Sequence, residues 1–241
     1  MGAEGGDIRR VALITGASKG LGLALARALA GRRWNLVIDA RGEDALAQAR
    51  DDLAKSATVL AIAGDVGDEA HRVQLIAAAA GLGGLDLLVN NASALGPTPL
   101  PRVDDYPLDR LERVYRANVF GPLRLVQLAL PILRSPGGRI VNVTSDAATE
   151  AYEGWGGYGS SKAALEQLSN VLAAERPDLR IYWVDPGDMN TAMQQDAFAG
   201  EDVSDRPPPE ASVPGFLRLI DGDLPSGRYR ARDLGTPEEA A

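Results

Sequence analysis

The chain has 241 residues, 45% of them apolar, and a formal net charge of −8 at pH 7. The length suits one globular domain with a sizeable core, and the acidic balance argues against nucleic acid or an anionic membrane as partner. With no cysteine and one histidine, His71, the chain is barred from disulfides, thiolate sites and cysteine nucleophiles, and most histidine catalysis and zinc sites are removed, so no metal is expected.

Short apolar runs rich in β-branched residues alternate with longer segments of helical spacing. The first run, 11–15, meets a Gly-rich turn, after which Leu21, Leu25, Ala28 and Leu29 recur at helical intervals up to Gly31. The pattern predicts strands at 36–39, 58–63, 85–89, 139–143 and 180–184, and a last one near 227–231. It predicts helices over 43–55, 69–80, a long region of about 107–134, and 158–174, with a short helix near 211–221. His71 falls in the helix over 69–80 and reads as a solvated residue. The strands are nearly continuously apolar, as strands covered on both faces are. Strand and helix alternating about six times imply right-handed crossovers and an α/β fold, a single-domain Rossmann-type doubly wound parallel sheet flanked by helices. Segment 196–214 is rich in Pro, Asp, Glu and Gly and sits within a lid-like stretch of about 188–222, while termini 1–8 and 235–241 read as loose.

Thr15-Gly16-Ala17-Ser18-Lys19-Gly20-Leu21-Gly22 joins the first strand to the first helix. Glycines there permit a tight turn and let the backbone approach a pyrophosphate, and the helix start offers free N–H groups. Two rival readings fail. The stretch 16–20 also fits the nucleophile elbow of serine hydrolases, but His71 comes too early to be the base. A nucleotide-triphosphate loop needs a lysine where Leu21 stands.

Tyr158-Gly159-Ser160-Ser161-Lys162 places a phenol and an ammonium four apart on one helix face. A nearby cation favours the phenolate, so the spacing predicts a tyrosine with a lowered pKa, able to exchange a proton near neutrality. With three lysines and six tyrosines in the chain, a chance pair of this spacing is expected in roughly one such chain in ten or fewer.

In its motifs the chain resembles the short-chain dehydrogenases/reductases from about Val11 to about Arg232. The Gly16, Gly20 and Gly22 pattern is similar to the family's cofactor turn, with Ser18, Lys19 and Leu21 inside it. Asp65-Val66 resembles its adenine-contacting pair, and Asn90-Asn91-Ala92-Ser93 resembles the Asn-Asn-Ala-Gly ending its fourth strand, with Ser93 for glycine expected to tighten the turn. Asn118 matches its structural and relay asparagine, Ser145 lies 13 residues before Tyr158 as its catalytic serine does, and Pro186-Gly187-x-x-x-Thr191 resembles its nicotinamide-side loop. The resemblance implies that Tyr158 gives a proton to a carbonyl while hydride arrives from a nicotinamide. It implies that Ser145 stabilises the developing charge, that Lys162 lowers the tyrosine pKa and holds the ribose, and that Asn118 positions a water linking Lys162 to solvent. Asp65, Val66, Asn91, Ala92, Pro186, Gly187, Met189 and Thr191 would contact the dinucleotide.

Aligned to that family, the end of the second strand carries Ala40 and Arg41 where NAD-specific members have an acid, with Asp39 one residue away. Lys19 and Arg41 suit a 2′-phosphate, so NADP(H) is expected over NAD(H). Leu95, Tyr152, Trp155, Met189, Met193 and Phe198 suggest an apolar, aromatic-lined pocket with no charged group aimed inward, fit for a neutral or bulky carbonyl or alcohol. The alternative is a dinucleotide-binding sensor or scaffold without turnover. A homodimer or homotetramer through the helices near 107–134 and 158–174 is expected, with Leu123, Leu130, Leu165 and Leu172 open to that role or to the core. No secretory signal or membrane-length apolar run is seen, which makes the cytoplasm the expected location.

Overall fold

The computed structural model describes residues 9–198 and 200–235. Seven parallel strands form one sheet in the order β3-β2-β1-β4-β5-β6-β7. In chain order these are β1 (Val11–Ile14), β2 (Asn35–Ala40), β3 (Val59–Ala63), β4 (Leu87–Asn90), β5 (Arg139–Val143), β6 (Arg180–Asp185) and β7 (Gly227–Arg230). The helices are α1 (Gly20–Gly31), α2 (Glu43–Leu53), α3 (Glu69–Gly81), α4 (Leu108–Tyr115), α5 (Gly121–Ala129), α6 (Gly156–Glu175), α7 (Ala192–Ala197) and α8 (Val213–Asp221).

Alternation along the strands divides the core. Ala12 and Ile14 face a cluster with Leu25 and Leu29 of α1, Leu46 of α2 and Phe216 and Leu219 of α8. Val11 and Leu13 face the opposite cluster with Leu75 of α3 and Leu125 and Val126 of α5. Strands buried on both faces explain the unbroken apolar runs. Each fully buried Leu or Ile contributes about 2 kcal/mol of apolar burial.

The expected strands and helices are all present, with end shifts of one or two residues in most cases. The predicted strand at 85–89 begins two residues later, and Leu85 makes an isolated bridge to Leu133 outside β4. The expected long helix over 107–134 is instead two helices, α4 and α5, joined by a wider π turn at Arg116–Phe120. The N–H of Gly121 reaches back five residues to the Arg116 carbonyl. Pro122, in the first turn of α5, has no N–H to give the carbonyl four residues earlier, so a regular ladder breaks there. His71, expected to be solvated, is 5% exposed. Of the expected loose termini, residues 1–8 and 236–241 lie outside the described residues.

Strand order reverses between β1 and β4, because β1 pairs with β2 on one side and β4 on the other. In an open parallel sheet the crevice beyond the carboxyl ends at such a switch is where ligands bind. The Gly-rich turn after β1 and the Asn91–Ala92 segment after β4 flank that crevice.

Candidate active site

The turn after β1 is fixed from several sides. Gly16 has φ +67, and a Cβ on it would lie 2.9 Å from Ala92 Cα, so backbone conformation and space both demand glycine. The Thr15 hydroxyl accepts from the N–H groups of Asn91 and Ala92 at 3.0 and 2.9 Å. Asn91 Nδ2 donates to the carbonyls of Thr15 and Gly16 at 2.8 and 3.1 Å. Gly22 does not face the crevice: a Cβ there would run into the Gly16 carbonyl and Asn91 Nδ2, so it lets α1 close on the turn. Lys19 stands at the N-terminal end of α1 with no side-chain cap on the helix, which leaves the first N–H groups without a side-chain acceptor.

One cavity of about 1390 Å³ runs along the crevice. Among the expected cofactor residues, Gly16, Ser18, Lys19, Gly20, Leu21, Arg41, Asp65, Val66, Asn91, Ala92, Tyr158, Lys162, Pro186, Met189 and Thr191 line it. Gly187 does not: its N–H donates to Asp185 Oδ1 at 2.9 Å, shaping the loop after β6. Thr191 caps α7 by accepting from the Gln194 N–H.

Tyr158 and Lys162 both face this cavity from α6. Lys162 is 2% exposed and its Nζ donates to the Val143 carbonyl at 2.8 Å. No other acceptor for it is seen among the described residues. Burial lowers its pKa from 10.5 to about 8. Nζ lies 5.5 Å from the centre of the Tyr158 ring. The tyrosine itself departs from expectation. Burial pushes its phenol up to about 12, with the Asp185 and Asp146 charges acting the same way and the Ser93 and Ser145 hydroxyls opposing them. The spacing predicted a lowered value, but loss of hydration outweighs the two hydroxyls that favour the phenolate.

Neither Ser145 nor Asn118 lines the cavity. The Ser145 hydroxyl donates to Asp146 Oδ1 at 2.9 Å, and Arg228 donates to the Ser145 carbonyl at 3.2 Å while also binding Glu166. Asn118 is 1% exposed and its side chain is fully engaged. Its Oδ1 accepts from the Ala94 N–H at 2.7 Å and the Ser93 hydroxyl at 3.1 Å, and its Nδ2 donates to the Ala94 carbonyl and the Ser161 hydroxyl, both at 2.9 Å. The side-chain amide is therefore fully satisfied within the protein, and it ties the segment after β4 to α6. Ser93 accordingly does more than tighten a turn.

Leu95, Ala147 and Tyr158 form an apolar cluster with Leu100, Trp155 and Met193 packed on it. Trp155 meets Tyr158 edge to face with ring centres 5.7 Å apart, and Phe198 lies 5.8 Å from Trp155. Tyr152, expected in this lining, instead turns outward: it is 43% exposed and its hydroxyl donates to Glu150 and Asp146. Asp146 does not line the cavity, but its charge acts on Tyr158. Its only sequence signal is adjacency to Ser145.

The Asp39 carboxylate, which a shift of one residue would make an NAD-type ribose acceptor, is 1% exposed and engaged inward with Gly16 and His71. Lys19 and Arg41 line the same end of the cavity.

The family described as short chain dehydrogenase matches residues 10–202. Sepiapterin reductase of Bos taurus is 34% identical over 209 residues, covering 81% of this chain and 78% of that protein. The rhamnolipids-biosynthesis 3-oxoacyl-[acyl-carrier-protein] reductase of Pseudomonas aeruginosa is 32% identical over 241 residues, covering 96% of this chain and 86% of that protein. Among solved structures, an alcohol dehydrogenase of the archaeon Thermococcus sibiricus complexed with 5-hydroxy-NADP has a TM-score of 0.83 at 26% identity, covering 92% of this chain and 95% of that one. The chain belongs to the short-chain dehydrogenases/reductases, a family of oxidoreductases acting on small molecules. No helix among the described residues is long and apolar enough to cross a membrane.

Proposed function

We propose that the protein moves hydride between NADP(H) and a neutral carbonyl or alcohol, with Tyr158 as general acid and base. One observation carries this: a single cavity joins the glycine turn, Lys19 and Arg41 at one end to Tyr158 and Lys162 at the other. The residues fit a dinucleotide. The turn at Gly16 leaves no room for a Cβ, and Lys162 is a buried ammonium with hydrogens to spare for ribose hydroxyls. When bound, the nicotinamide supplies or takes the hydride.

The chain's own residues supply the rest. Tyr158 holds a proton throughout the neutral range, the state that reduction of a carbonyl requires. Ser145, on turning from Asp146, donates to the same oxygen and stabilises charge as it develops. Lys162 anchors the ribose and sets the field at the phenol. Asn118 acts as a positioning residue, fixing the segment after β4 against α6. Lys19 and Arg41 bind a 2′-phosphate through charge-assisted hydrogen bonds. Asp65 and Val66 contact the adenine, and Met189 and Thr191 the carboxamide side. Trp155, Leu95 and Met193 give an apolar wall against the substrate, and the stretch 188–222 closes over it.

We place the protein in the cytoplasm as a homodimer or homotetramer. Exposed Leu108 on α4, Phe120 in the π turn and Val171 on α6 support the assembly. Leu165 is core, and Leu130 and Leu172 pack against the core.

The test is a panel of ketones and alcohols with NADPH and NADH, followed at the nicotinamide absorbance. Turnover with preference for NADPH, lost in Lys19→Ala/Arg41→Ala, is the expected result. An unchanged preference overturns the cofactor assignment. Tight cofactor binding with no turnover across the panel favours a sensor.

A further inference from the structure

His71 is the one histidine of the chain, and nothing in the chemistry above uses it. It projects from α3 into the interior, with Nε2 at 2.9 Å from Asp39 Oδ2. The other carboxylate oxygen of Asp39 accepts the Gly16 N–H at 2.7 Å. The Asp39 main-chain carbonyl accepts from the Ala17 N–H at 2.8 Å. Gly64, after β3, makes room for the imidazole, since a Cβ there would collide with the ring. Four chain segments thus meet around the Asp39–His71 pair: the turn after β1, the end of β2, the residue after β3, and α3.

The position gives this meaning. Asp39 belongs to the cavity wall, beside Ala40 and Arg41. An acid at the end of the second strand in this kind of fold accepts from ribose hydroxyls and opposes a 2′-phosphate, and Asp39 stands one residue before that position, which Ala40 occupies. Here each oxygen already accepts from a donor on a different element, and the residue is 1% exposed, so the carboxylate is held on the protein side of the cavity wall. Without the imidazole, Oδ2 would be a buried charged acceptor with no partner, and turning toward the cavity is the way to find one.

We infer that His71 determines cofactor specificity through Asp39, holding that carboxylate on the glycine turn and out of reach of the adenosine ribose, so that a chain with an acid at this strand end takes a 2′-phosphorylated dinucleotide. The inference rests on the NADP(H) assignment above. His71 is a positioning residue and touches no reacting atom.

The experiment measures dissociation constants for NADPH and NADH by nicotinamide fluorescence, with no substrate present. His71→Phe shifts the ratio toward NADH by about tenfold or more, the size expected when a hydrogen bond to a charged group is lost on one side and gained on the other. His71→Gln, which keeps a donor, holds the wild-type ratio. Adding Asp39→Asn to His71→Phe removes the shift, because the charge that causes it is gone, and this non-additivity is what a purely structural role would not produce. If His71→Phe does not fold, His71→Asn, too short to reach Asp39, replaces it with the same expected shift. A wild-type protein that prefers NADPH, with a ratio unchanged within about twofold in the folded His71 variant, overturns this inference alone. A wild-type protein without preference for NADPH overturns the cofactor assignment and this inference with it.

Discussion

Replacing Lys162 by methionine removes a charge from a side chain that is 2% exposed while keeping its length and apolar stem. The folded-state pKa is about 8 against an ordinary 10.5. Between those values the unfolded chain holds a proton that the folded chain has released, so this group makes stability rise with pH across that window. Below about 8 both states are charged and folding carries the whole cost of burying the ammonium, about 3 kcal/mol. Above about 10.5 the cost has gone. From about pH 7 to about pH 10 the wild type should therefore gain between about 2 and 3 kcal/mol relative to Lys162→Met. The variant also strips the Val143 carbonyl of its donor, which offsets part of its advantage by about 1–2 kcal/mol at every pH. The difference in slope is thus the diagnostic quantity. Urea unfolding followed by tryptophan fluorescence at fixed ionic strength measures it, and Trp34 and Trp183 are buried reporters. Near neutral pH the variant should be at least as stable as the wild type and should lose turnover. Parallel stability curves for the two proteins over this range would refute the reasoning, since they would mean that Lys162 titrates alike in the folded and unfolded chains.

Tyr158→Phe keeps the ring that packs on Trp155 and removes the proton donor. Steady-state reduction should slow by about 10²–10⁴-fold with NADPH affinity changed by no more than a few fold. Asn118→Leu strands the Ala94 N–H and carbonyl and takes one donor from the Ser161 hydroxyl, which keeps its bond to the Tyr158 carbonyl; denaturant titration should show a loss of about 2–3 kcal/mol or more, and recovery of full stability would contradict the buried network. Gly22→Ala puts a methyl into the Gly16 carbonyl, so calorimetric titration should show NADPH binding weakened together with a stability loss of about 1–3 kcal/mol.

Much of this molecule was readable before any coordinates. Short continuous apolar runs and period-3.6 patterns located the seven strands and most helices, because strands covered on both faces must be apolar throughout while crossover helices bury one stripe. Tyr158 and Lys162 were legible for a local reason: four residues along a helix is one face, whatever the helix packs against. The glycine turn was legible because its demands on φ and space are also local. Non-local matters were not. The break between α4 and α5 was signalled by Pro122, yet the apolar spacing ran through it. Tyr152 had the right residue type for the pocket, but Glu150 and Asp146 hold its hydroxyl outside.

The amino-acid order by itself thus determined the sheet, its winding and the pairing of phenol with ammonium, since each follows from steric and hydrophobic rules acting over a few residues. What tertiary structure decided was the electrostatic state of those groups. The high pKa of Tyr158 and the low one of Lys162 come from burial. Asn118 has its hydrogen bonds consumed by segments 24 and 43 residues away. Asp39 faces inward because a histidine 32 residues later reaches it. Hydration and charge depend on what surrounds a group in three dimensions, and that is settled only when distant parts of the chain have met.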